Sequence, residues 1–370
     1  MLTAKVAEEF PGNDRHIYGL DLLRICAAGM VALLHLTYQY PPLTFIPPVG
    51  WVGVEIFFVL SGFVIAASLT NSSPRRFIKN RLLRLYPTAW GCTIIGSAAV
   101  LIFGGTHTVV GDLATLDPRS FIVSLALFGG RFFSSAYWTL EIELAFYAFC
   151  LLYFIVCPQR DVSRLAKILI IWATPYIILL TLSNLDVFEA NWLDFGYGFR
   201  NASLLRHGPL FALGMLLWQL TKGDKPRSAN LKWMGAAILL SCAEILCRSI
   251  EFVQNIVVGK SPVSVGAISL GLWGSACIAI IISIRCNTAF PRHIRLRSVT
   301  RTLGLMTYPF YLIHQSVSGS VMGYLIIDGM SDTTALAISL VASLVLSWAI
   351  LVLWDPAIRN AITWIETRAS

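Results

Sequence analysis

Apolar residues fill this chain in long runs rather than in short alternating patterns. Stretches of about 20 apolar residues recur along the whole sequence, and a helix of that length crosses a hydrocarbon core about 30 Å thick. We predict ten spans, at residues 17–38, 51–69, 86–103, 137–157, 166–183, 204–220, 231–247, 263–284, 303–327 and 334–354. The predicted fold class is an all-α integral membrane protein, a polytopic bundle of about ten transmembrane helices.

One apolar stretch, residues 119–130, is too short to cross a membrane. We interpret it as a re-entrant or interfacial segment. The alternative, an eleventh span at this position, would invert the orientation of every later segment. The assignment of 119–130 therefore decides the topology of the second part of the chain.

Composition supports a membrane location and argues against several other classes. Hydrophobic residues make up 56% of the chain and charged residues 13%, about half the charged share of a soluble domain. The eight cysteines show no CxxC spacing, so the sequence indicates neither a disulfide framework nor a zinc site, and we predict no metal. Residues 1–16 mix both charge signs and lack the apolar core of a signal peptide, so the first span is expected to stay in the protein.

The net charge of +8 reflects where basic residues lie in the topology, not a nucleic-acid partner. Alternate connecting segments and both termini hold 21 of the 28 Lys and Arg residues. The positive-inside rule places these segments in the cytoplasm. The predicted organisation is a cytoplasmic segment 1–16, a transmembrane domain 17–354 surrounded by membrane lipids, and a cytoplasmic tail 355–370.

The first predicted span contains three ionisable residues, Asp21, Arg24 and His35. Each such residue costs about 2.5–3.5 kcal/mol on insertion scales, so it needs a partner or a function. Asp21 and Arg24 lie three residues apart and can pair on one helix face. His35 follows Arg24 by eleven residues, on nearly the same face and about 16 Å further along the axis. The alternative for His35 is a hydrogen bond to a neighbouring helix without any chemistry.

Two further segments combine polar and basic residues near the second span. Glu55 and Ser61 lie inside that span, and the adjacent Gly62 is predicted to allow close helix packing. Arg81 and Arg84 follow it, three residues apart at the start of the next helix. Two guanidinium groups on one face can bind phosphate at the inner edge of a membrane. The alternative is a basic segment that only fixes the topology.

Two later spans carry candidate groups whose roles the spacing leaves open. Glu141 and Glu143 point to nearly opposite sides of a helix, so only one of them can face an enclosed site. Tyr308, Tyr311 and His314 share one broad face of the ninth predicted span. For these three residues, core packing with a hydrogen-bonded histidine is the alternative.

Five segments, taken in order, resemble the acyltransferase-3 family of bacterial membrane O-acyltransferases. They are IYGLDLLRICAAGMVALLHL, GVEIFFVLSGFVI, FIKNRLLRLYPTAW, YWTLEIELAFY and TYPFYLIHQ, between residue 17 and about residue 316. The first, second and fourth are specific as a set, and none is sufficient alone. The chain resembles the stand-alone form of the family, without the SGNH esterase-like domain that some relatives append.

The resemblance assigns roles to the basic residues and the first histidine. The family's Arg-x10-His pattern falls on Arg24 and His35, and its Arg-x2-Arg pattern falls on Arg81 and Arg84. We predict that the three arginines hold the phosphates of acyl-CoA. We predict that His35, as a neutral imidazole, is the general base.

The family's Trp-Ser-Leu-x-x-Glu pattern falls on Trp138 through Glu143, with Thr139 in place of the usual serine. This replacement keeps a hydroxyl group. The family alignment favours Glu143 over Glu141 as the functional acid, so we predict that Glu143 orients His35. The residues predicted to contact the substrate are Glu55, Ser61, Trp138, Tyr311 and His314.

The resemblance implies an enzyme of the bacterial inner membrane. It would move an acyl group, with acetyl as the expected case, from cytosolic acyl-CoA to a hydroxyl of an extracytoplasmic or membrane-associated carbohydrate. Exopolysaccharide and lipopolysaccharide are acceptors of this class. A covalent acyl intermediate on Ser61 is less favoured, because no activating partner is evident in the sequence.

Other functions remain as alternatives. The chain could be a transporter or flippase of a glycan or lipid-linked precursor, in which His35 and Glu143 relay protons. It could also acylate a secreted small molecule. A polysaccharide polymerase is least favoured, because it would carry larger outer loops than this chain has. Cleavage of an acyl-CoA thioester would distinguish an acyltransferase from a transporter.

Overall fold

The structure is a computed structural model whose regular elements are all helical in the residues it describes. This confirms the predicted all-α fold class. Apart from His16, the predicted N-terminal segment lies outside the described residues. The described residues are 16–38, 43, 48–104, 117–157, 159, 161–188, 202–222, 228–256, 260–287 and 294–369.

The helices are numbered in chain order. The first six are α1 (Tyr18–Thr37), α2 (Val52–Asn71), α3 (Pro74–Phe103), α4 (Pro118–Ala126), α5 (Trp138–Val156) and α6 (Val162–Asn184). The others are α7 (Gly208–Gln219), α8 (Ser228–Asn255), α9 (Pro262–Arg285), α10 (Ile294–Ile313), α11 (Ser320–Ile327), α12 (Asp332–Ala349) and α13 (Asp355–Ala369). Two π-helical segments, His314–Gly319 and Ile350–Trp354, join α10 to α11 and α12 to α13.

Eight helical segments in the described part of the chain are long and apolar enough to cross a membrane. They coincide with eight of the ten predicted spans. Large apolar side chains on their outer faces are exposed, for example Leu101 at 75% and Ile155 at 66%. Such faces suit a lipid environment, in which helices satisfy their own backbone hydrogen bonds. The chain is a multi-pass membrane protein.

The other two predicted spans, 204–220 and 231–247, coincide with α7 and α8. Helix α7 has 12 residues, which is too short to cross a membrane alone. Helix α8 has 28 residues, but it is not among the eight segments that are both long and apolar enough. Helix α4 has nine residues, in agreement with the interpretation that 119–130 does not cross.

Three helix boundaries differ from the predicted spans, because polar segments continue as helix. Helix α3 begins at Pro74, where the Ser73 side chain accepts a hydrogen bond from the Arg76 backbone N–H, an ordinary N-cap followed by proline. Helix α10 begins at Ile294, inside the predicted loop 285–302. The predicted tail 355–370 is largely helix α13.

Helix α2 lies at the centre of the bundle and packs against α7 at glycines. A Cβ atom on Gly62 would lie 2.1 Å from the Phe211 carbonyl oxygen, and one on Gly214 would lie 1.9 Å from the Val59 carbonyl oxygen. Both distances are too short for any side chain. The two helices therefore approach as closely as they do because both positions lack a Cβ, which confirms the packing role predicted for Gly62.

Candidate active site

A cavity of about 760 Å³, including its open mouth, lies between α1, α2, α3, α5 and α10. Its wall combines apolar side chains with a small group of charged and hydroxyl-bearing ones, a composition typical of small-molecule sites. The predicted site residues that line it are Arg24, Ser61, Arg81, Arg84, Glu143 and Tyr311. The predicted residues that do not line it are His35, Glu55, Trp138 and His314.

Arg24 is held at the cavity wall by a carboxylate on its own helix. Its Nη1 donates to Asp21 Oδ1 at 2.8 Å, which confirms the pairing predicted from their spacing. Asp21 is buried, and its other oxygen lies 2.5 Å from His16 Nε2. Gly304 of α10 packs against the Asp21 side chain, and a Cβ there would lie 2.4 Å from Asp21 Cγ. The ion pair is thus part of the contact between α1 and α10.

Arg81 and Arg84 lie one helical turn apart on α3, inside the cavity. The Arg81 guanidinium is buried, donates to Ser68 Oγ, and lies 5.8 Å and 5.9 Å from the ring centroids of Phe77 and Tyr147. The Arg84 side chain is exposed, and within the described residues no carboxylate pairs with it. Among the described residues neither guanidinium group forms an ion pair with a carboxylate, an arrangement suited to a bound anion.

Glu143 lines the cavity, whereas Glu141 does not. The Tyr147 hydroxyl, one turn further along α5, donates to Glu143 Oε1. Among the described residues, no hydrogen bond joins Glu143 to His35. The orienting role predicted for Glu143 therefore has no direct contact behind it in the described residues and stays a prediction.

His35 does not itself line the cavity, but its Nδ1 atom contacts His314, whose ring packs against the cavity-lining Tyr311. The His35 Nδ1 and His314 Nε2 atoms are 2.8 Å apart, and the two rings are nearly parallel, with an interplanar angle of 10°. The His314 Nδ1 atom lies 2.5 Å from the Tyr311 carbonyl oxygen. The Tyr311 ring, which lines the cavity, lies 5.6 Å from the His314 ring.

Gln315 is a further partner of His35. Its Nε2 atom lies 2.8 Å from His35 Nδ1. Its Oε1 atom accepts from the Ser134 hydroxyl at 3.0 Å, the Ser135 hydroxyl at 2.8 Å and the Ala136 backbone N–H at 3.0 Å. Gln315 therefore connects His35 on α1 to the turn that precedes α5.

An ion-pair network, formed by Glu55, Arg206, Glu244, Arg248 and Glu251, lies next to the cavity between α2, α7 and α8. Arg206 Nε donates to Glu244 Oε1 at 2.7 Å, and Arg206 Nη1 lies 3.0 Å from Glu251 Oε2. Arg248 Nη1 lies 3.0 Å from Glu55 Oε1. The side chains of Glu55 and Glu244 are fully buried. Glu55, predicted to contact the substrate, is thus bound inside this network.

Trp138 and His207 contact both the ion-pair network and Phe58, which lines the cavity. The Arg248 guanidinium lies 5.2 Å from the Trp138 ring centroid, and the His207 ring lies 4.7 Å from that of Phe58. One ligand atom each from Glu55, His207 and Glu244 lie within 4.8 Å of one another. The same carboxylates already pair with two guanidinium groups, which would repel a cation at this point.

The sequence contained signals for two groups that the predicted site omits. Gln315 follows His314 directly in the TYPFYLIHQS segment. Glu244, Arg248 and Glu251 lie at intervals of four and three residues on one helix face, inside or just after a predicted span. Ionisable residues at that depth require partners, and Arg206, just before the apolar run of α7, is the opposite charge that supplies one.

Comparison with known proteins identifies a matching family and several relatives. The model of the acyltransferase-3 family, described as "Acyltransferase domain", matches residues 17–352. A Bacillus subtilis protein named "Putative peptidoglycan O-acetyltransferase YrhL" is 26% identical over 325 residues, covering 82% of this chain and 49% of the relative. The exopolysaccharide production protein ExoZ of Rhizobium meliloti is 32% identical over 27% of this chain and 33% of its own length.

A further relative, nodulation protein 10 of Rhizobium leguminosarum, is 30% identical over 37% of this chain and 45% of its own length. The chain spans about half the length, or less, of these relatives. No solved structure matches the chain. Because the family model covers most of the sequence, including every helix that lines the cavity, the chain belongs to the acyltransferase-3 family.

Proposed function

We propose that this protein is a membrane O-acyltransferase that moves an acyl group from acyl-CoA to a hydroxyl of a carbohydrate. The observation that carries this proposal is the cavity, where Arg24, Arg81 and Arg84 meet Glu143 and Tyr311. A cation-rich cavity within a helical bundle suits a donor that has anionic phosphates and a long uncharged arm. Acetyl is the acyl group that we propose.

The names of the relatives support the reaction and the acceptor class. One is named as an O-acetyltransferase of peptidoglycan and another for exopolysaccharide production. Both names concern cell-surface carbohydrate, and the first names transfer of an acetyl group to oxygen. Extracellular or membrane-associated glycan is therefore the acceptor class that we propose for this chain, with a secreted small molecule as an alternative acceptor.

We propose that donor phosphates bind Arg81 and Arg84, with Arg24 nearby. Arg84 is the exposed member of the set, while Arg81 is buried against Phe77 and Tyr147. Phosphate bound between the two guanidinium groups would leave the thioester arm to follow the apolar wall formed by Phe57, Leu60 and Val64. The arm would then reach the Tyr311 side of the cavity, next to His35.

In this mechanism His35 removes the proton from the acceptor hydroxyl. The hydroxyl oxygen attacks the thioester carbonyl carbon, the carbon–sulfur bond breaks, and the CoA thiolate receives the proton. His35 is suited to this because its Nδ1 atom is held by His314 and Gln315, while no hydrogen bond to its Nε2 occurs among the described residues. A general base needs a ring that is held in place through one nitrogen and can accept a proton at the other.

We also propose that the protein lies in the bacterial inner membrane with both termini in the cytoplasm. The basic residues of α3, including Arg81 and Arg84, then face the compartment that supplies acyl-CoA. Cysteine labelling tests this: positions in 184–203 should react from outside the cell, and positions in 285–302 should not. Labelling of 221–232 decides whether the short helix α7 crosses, and external labelling of 285–302 would contradict the proposed orientation.

A transfer assay with purified protein in lipid nanodiscs tests the function. With [14C]acetyl-CoA and extracted cell-surface glycan, the wild-type protein should release free CoA thiol and label the glycan in equal amounts. His35→Gln protein, which keeps the shape and polarity of the side chain, serves as the control and should do neither. Movement of glycan across a vesicle membrane without thioester cleavage would instead identify a transporter or flippase.

A further inference from the structure

We propose that His314 and His35 form a proton relay and that Gln315 is the positioning residue that directs it. During acyl transfer, His35 would take the acceptor proton at Nε2 and pass its own Nδ1 proton to His314 Nε2. This inference rests on the proposed acyl transfer and deepens it. It is carried by six hydrogen bonds around the two rings and the Gln315 amide, which together fix the donor and acceptor at each atom.

The orientation of the Gln315 amide is fixed by the turn before α5. The Ala136 backbone N–H lies 3.0 Å from one end of the amide, and a backbone N–H can only donate. That end is therefore the oxygen, which also accepts from the hydroxyls of Ser134 and Ser135. The other end is the NH₂ group, which lies 2.8 Å from His35 Nδ1 and points a donor at it.

The tautomer of His314 is fixed in the same way. Its Nδ1 atom lies 2.5 Å from the Tyr311 carbonyl oxygen, which can only accept. The Nδ1 atom therefore carries a proton, and in the neutral ring Nε2 carries a lone pair. That lone pair faces His35 Nδ1 at 2.8 Å.

His35 Nδ1 thus meets an acceptor on His314 and a donor on Gln315, so one proton has two arrangements. In the first it lies on His35 Nδ1 and is donated to His314, which leaves the His35 Nε2 lone pair available as a base. In the second it lies on His314 Nε2, and the single lone pair of His35 Nδ1 is shared by the N–H groups of His314 and Gln315. The first arrangement precedes removal of the acceptor proton, and the second follows it.

Gln315 stabilises the second arrangement over the first. While His35 Nδ1 carries a proton, the Gln315 N–H faces another donor, which is unfavourable. Once the proton has moved to His314, the same N–H has an acceptor. The amide therefore draws the positive charge from His35 to His314, where the Tyr311 carbonyl accepts from Nδ1.

The charge on His314 lasts only during turnover. The ring is fully buried, and among the described residues its hydrogen-bond partners, and those of His35, are neutral. A lasting buried cation without a carboxylate partner would be costly. After the carbon–sulfur bond breaks, the proton returns to His35 Nδ1, and His35 Nε2 gives its proton to the CoA thiolate, so that no net proton is gained or lost.

The π-helical segment explains how two adjacent residues reach one ring. In an α-helix, neighbouring side chains point about 100° apart and do not meet the same partner. His314 and Gln315 begin the segment His314–Gly319, which is π-helical. Such bulges are frequent at functional sites because they redirect side chains.

Gln315→Glu is the variant that tests the relay, because it keeps the oxygen facing Ala136 and replaces the NH₂ donor by an acceptor. The carboxylate would then hold the proton on His35 Nδ1, so that transfer no longer passes through His314. His314→Gln should lower the transfer rate at least about tenfold in the wild-type background. In the Gln315→Glu background it should change the rate less than about twofold. If the fold-loss in the double variant equals the product of the fold-losses in the two single variants, the two residues act independently and the relay is overturned.

The solvent isotope dependence of the transfer rate gives a second readout. If two protons move in the transfer step, a plot of the transfer rate against the D₂O fraction is curved. If one proton moves, the plot is a straight line. We expect a curve for wild type and a line for Gln315→Glu, with acetyl-CoA affinity unchanged in both. This measurement keeps His314 intact, so it decides the question even where His314→Gln does not fold, and a curve for Gln315→Glu would overturn the relay.

Controls separate failure of the relay from failure of the proposed function. Gln254→Glu makes the same chemical change on an exposed face of α8 and should keep both the rate and the curved isotope dependence. Wild-type protein that neither binds acetyl-CoA nor transfers its acyl group would refute the function itself. The relay alone would be refuted if wild-type protein transfers the acyl group, the fold-losses of His314→Gln and Gln315→Glu multiply in the double variant, and the isotope dependence of wild type is linear.

Discussion

The cavity and the adjacent ion-pair network use the same kinds of side chain in opposite ways. In the network, two arginines contact three glutamates at 2.7–3.0 Å, and carboxylates outnumber guanidinium groups. In the cavity, Arg24 pairs with Asp21 at 2.8 Å, but Arg81 and Arg84 pair with no carboxylate among the described residues, and the lining carboxylate Glu143 bonds to a tyrosine. Each arginine of the network has a carboxylate partner, whereas two arginines of the cavity have none.

This difference separates a structural role from a binding role. A buried ion pair stabilises a fold chiefly because each partner would be costly alone. A cation that lines a cavity without a carboxylate partner costs energy in the empty protein and recovers it when an anion binds. Substitutions in the network should therefore change stability, and substitutions in and beside the cavity should change donor binding or chemistry.

The largest effect is expected in the network, from Arg206→Met. The variant leaves Glu244 fully buried without its closest partner, and breaking a buried pair costs about 3–5 kcal/mol. That is a large share of the roughly 5–15 kcal/mol that stabilises a typical protein. The temperature of unfolding in detergent, measured by size-exclusion chromatography after heating, should fall steeply.

Lys79→Met is the matched control for this prediction. Lys79 pairs with Glu366 at 2.6 Å, but the two side chains are 50% and 46% exposed, and such a pair contributes about 0–1 kcal/mol. The unfolding temperature of Lys79→Met should stay close to wild type. Equal shifts for the two variants would remove the distinction between the network and an ordinary surface pair.

The next largest effect is expected beside the cavity, from His35→Gln. Loss of a general base lowers the rate by at least about 100-fold, while the amide keeps the polarity of the position. Transfer should fall by this factor, with acetyl-CoA affinity and unfolding temperature near wild type. Near-normal transfer would exclude His35 as the base, and loss of folded protein would indicate a structural histidine whose partners were left unpaired.

A smaller effect is expected for the exposed cavity cation, from Arg84→Ala. Losing one hydrogen bond to a charged group costs about 1.5–3 kcal/mol, so acetyl-CoA affinity should fall roughly tenfold or more. Arg84→Lys should restore part of it, since lysine keeps the charge but not the planar fork. Stability should not change, because the side chain has no carboxylate partner in the described residues.

Arg285→Ala controls for the change in net charge. Arg285 is exposed at the end of α9, away from the cavity. Its removal should leave acetyl-CoA affinity unchanged when measured by isothermal titration. If Arg84→Ala and Arg285→Ala weaken acetyl-CoA binding equally, Arg84 contributes only through the net charge of the protein.

Features that depend on local spacing were predictable from the sequence. The Asp21–Arg24 pair follows from a three-residue interval, and the helical class follows from the apolar runs. The choice of Glu143 over Glu141 came from the family resemblance, and Glu143 is the one that lines the cavity. The meeting of α1, α3 and α5 around one cavity also required the resemblance, because no local rule specifies which helices become neighbours.

Features that depend on tertiary contacts were not predictable. His35 and His314 lie 279 residues apart in sequence, so no periodicity relates them. Gln315 reaches the same ring only because a π-helical segment replaces α-helix at that point. Glu55 was predicted to contact the substrate because it is an ionisable residue in a span, but its partner Arg248 lies on α8, far along the chain.

The smallest effect is expected from Ser61→Ala, which asks whether the acyl group passes directly to its acceptor. Ser61 lines the cavity, so a covalent acyl-serine is the main competitor to direct transfer. A serine nucleophile needs a base within hydrogen-bond reach, and among the described residues no imidazole or carboxylate bonds to its hydroxyl. Transfer by Ser61→Ala should therefore stay within about threefold of wild type, since no bond-making step depends on that oxygen. Intact-protein mass spectrometry after mixing wild type with acetyl-CoA should show no added acetyl group. A loss of about 100-fold, together with an acetyl adduct that hydroxylamine removes, would make Ser61 the nucleophile and replace direct attack by a two-step transfer.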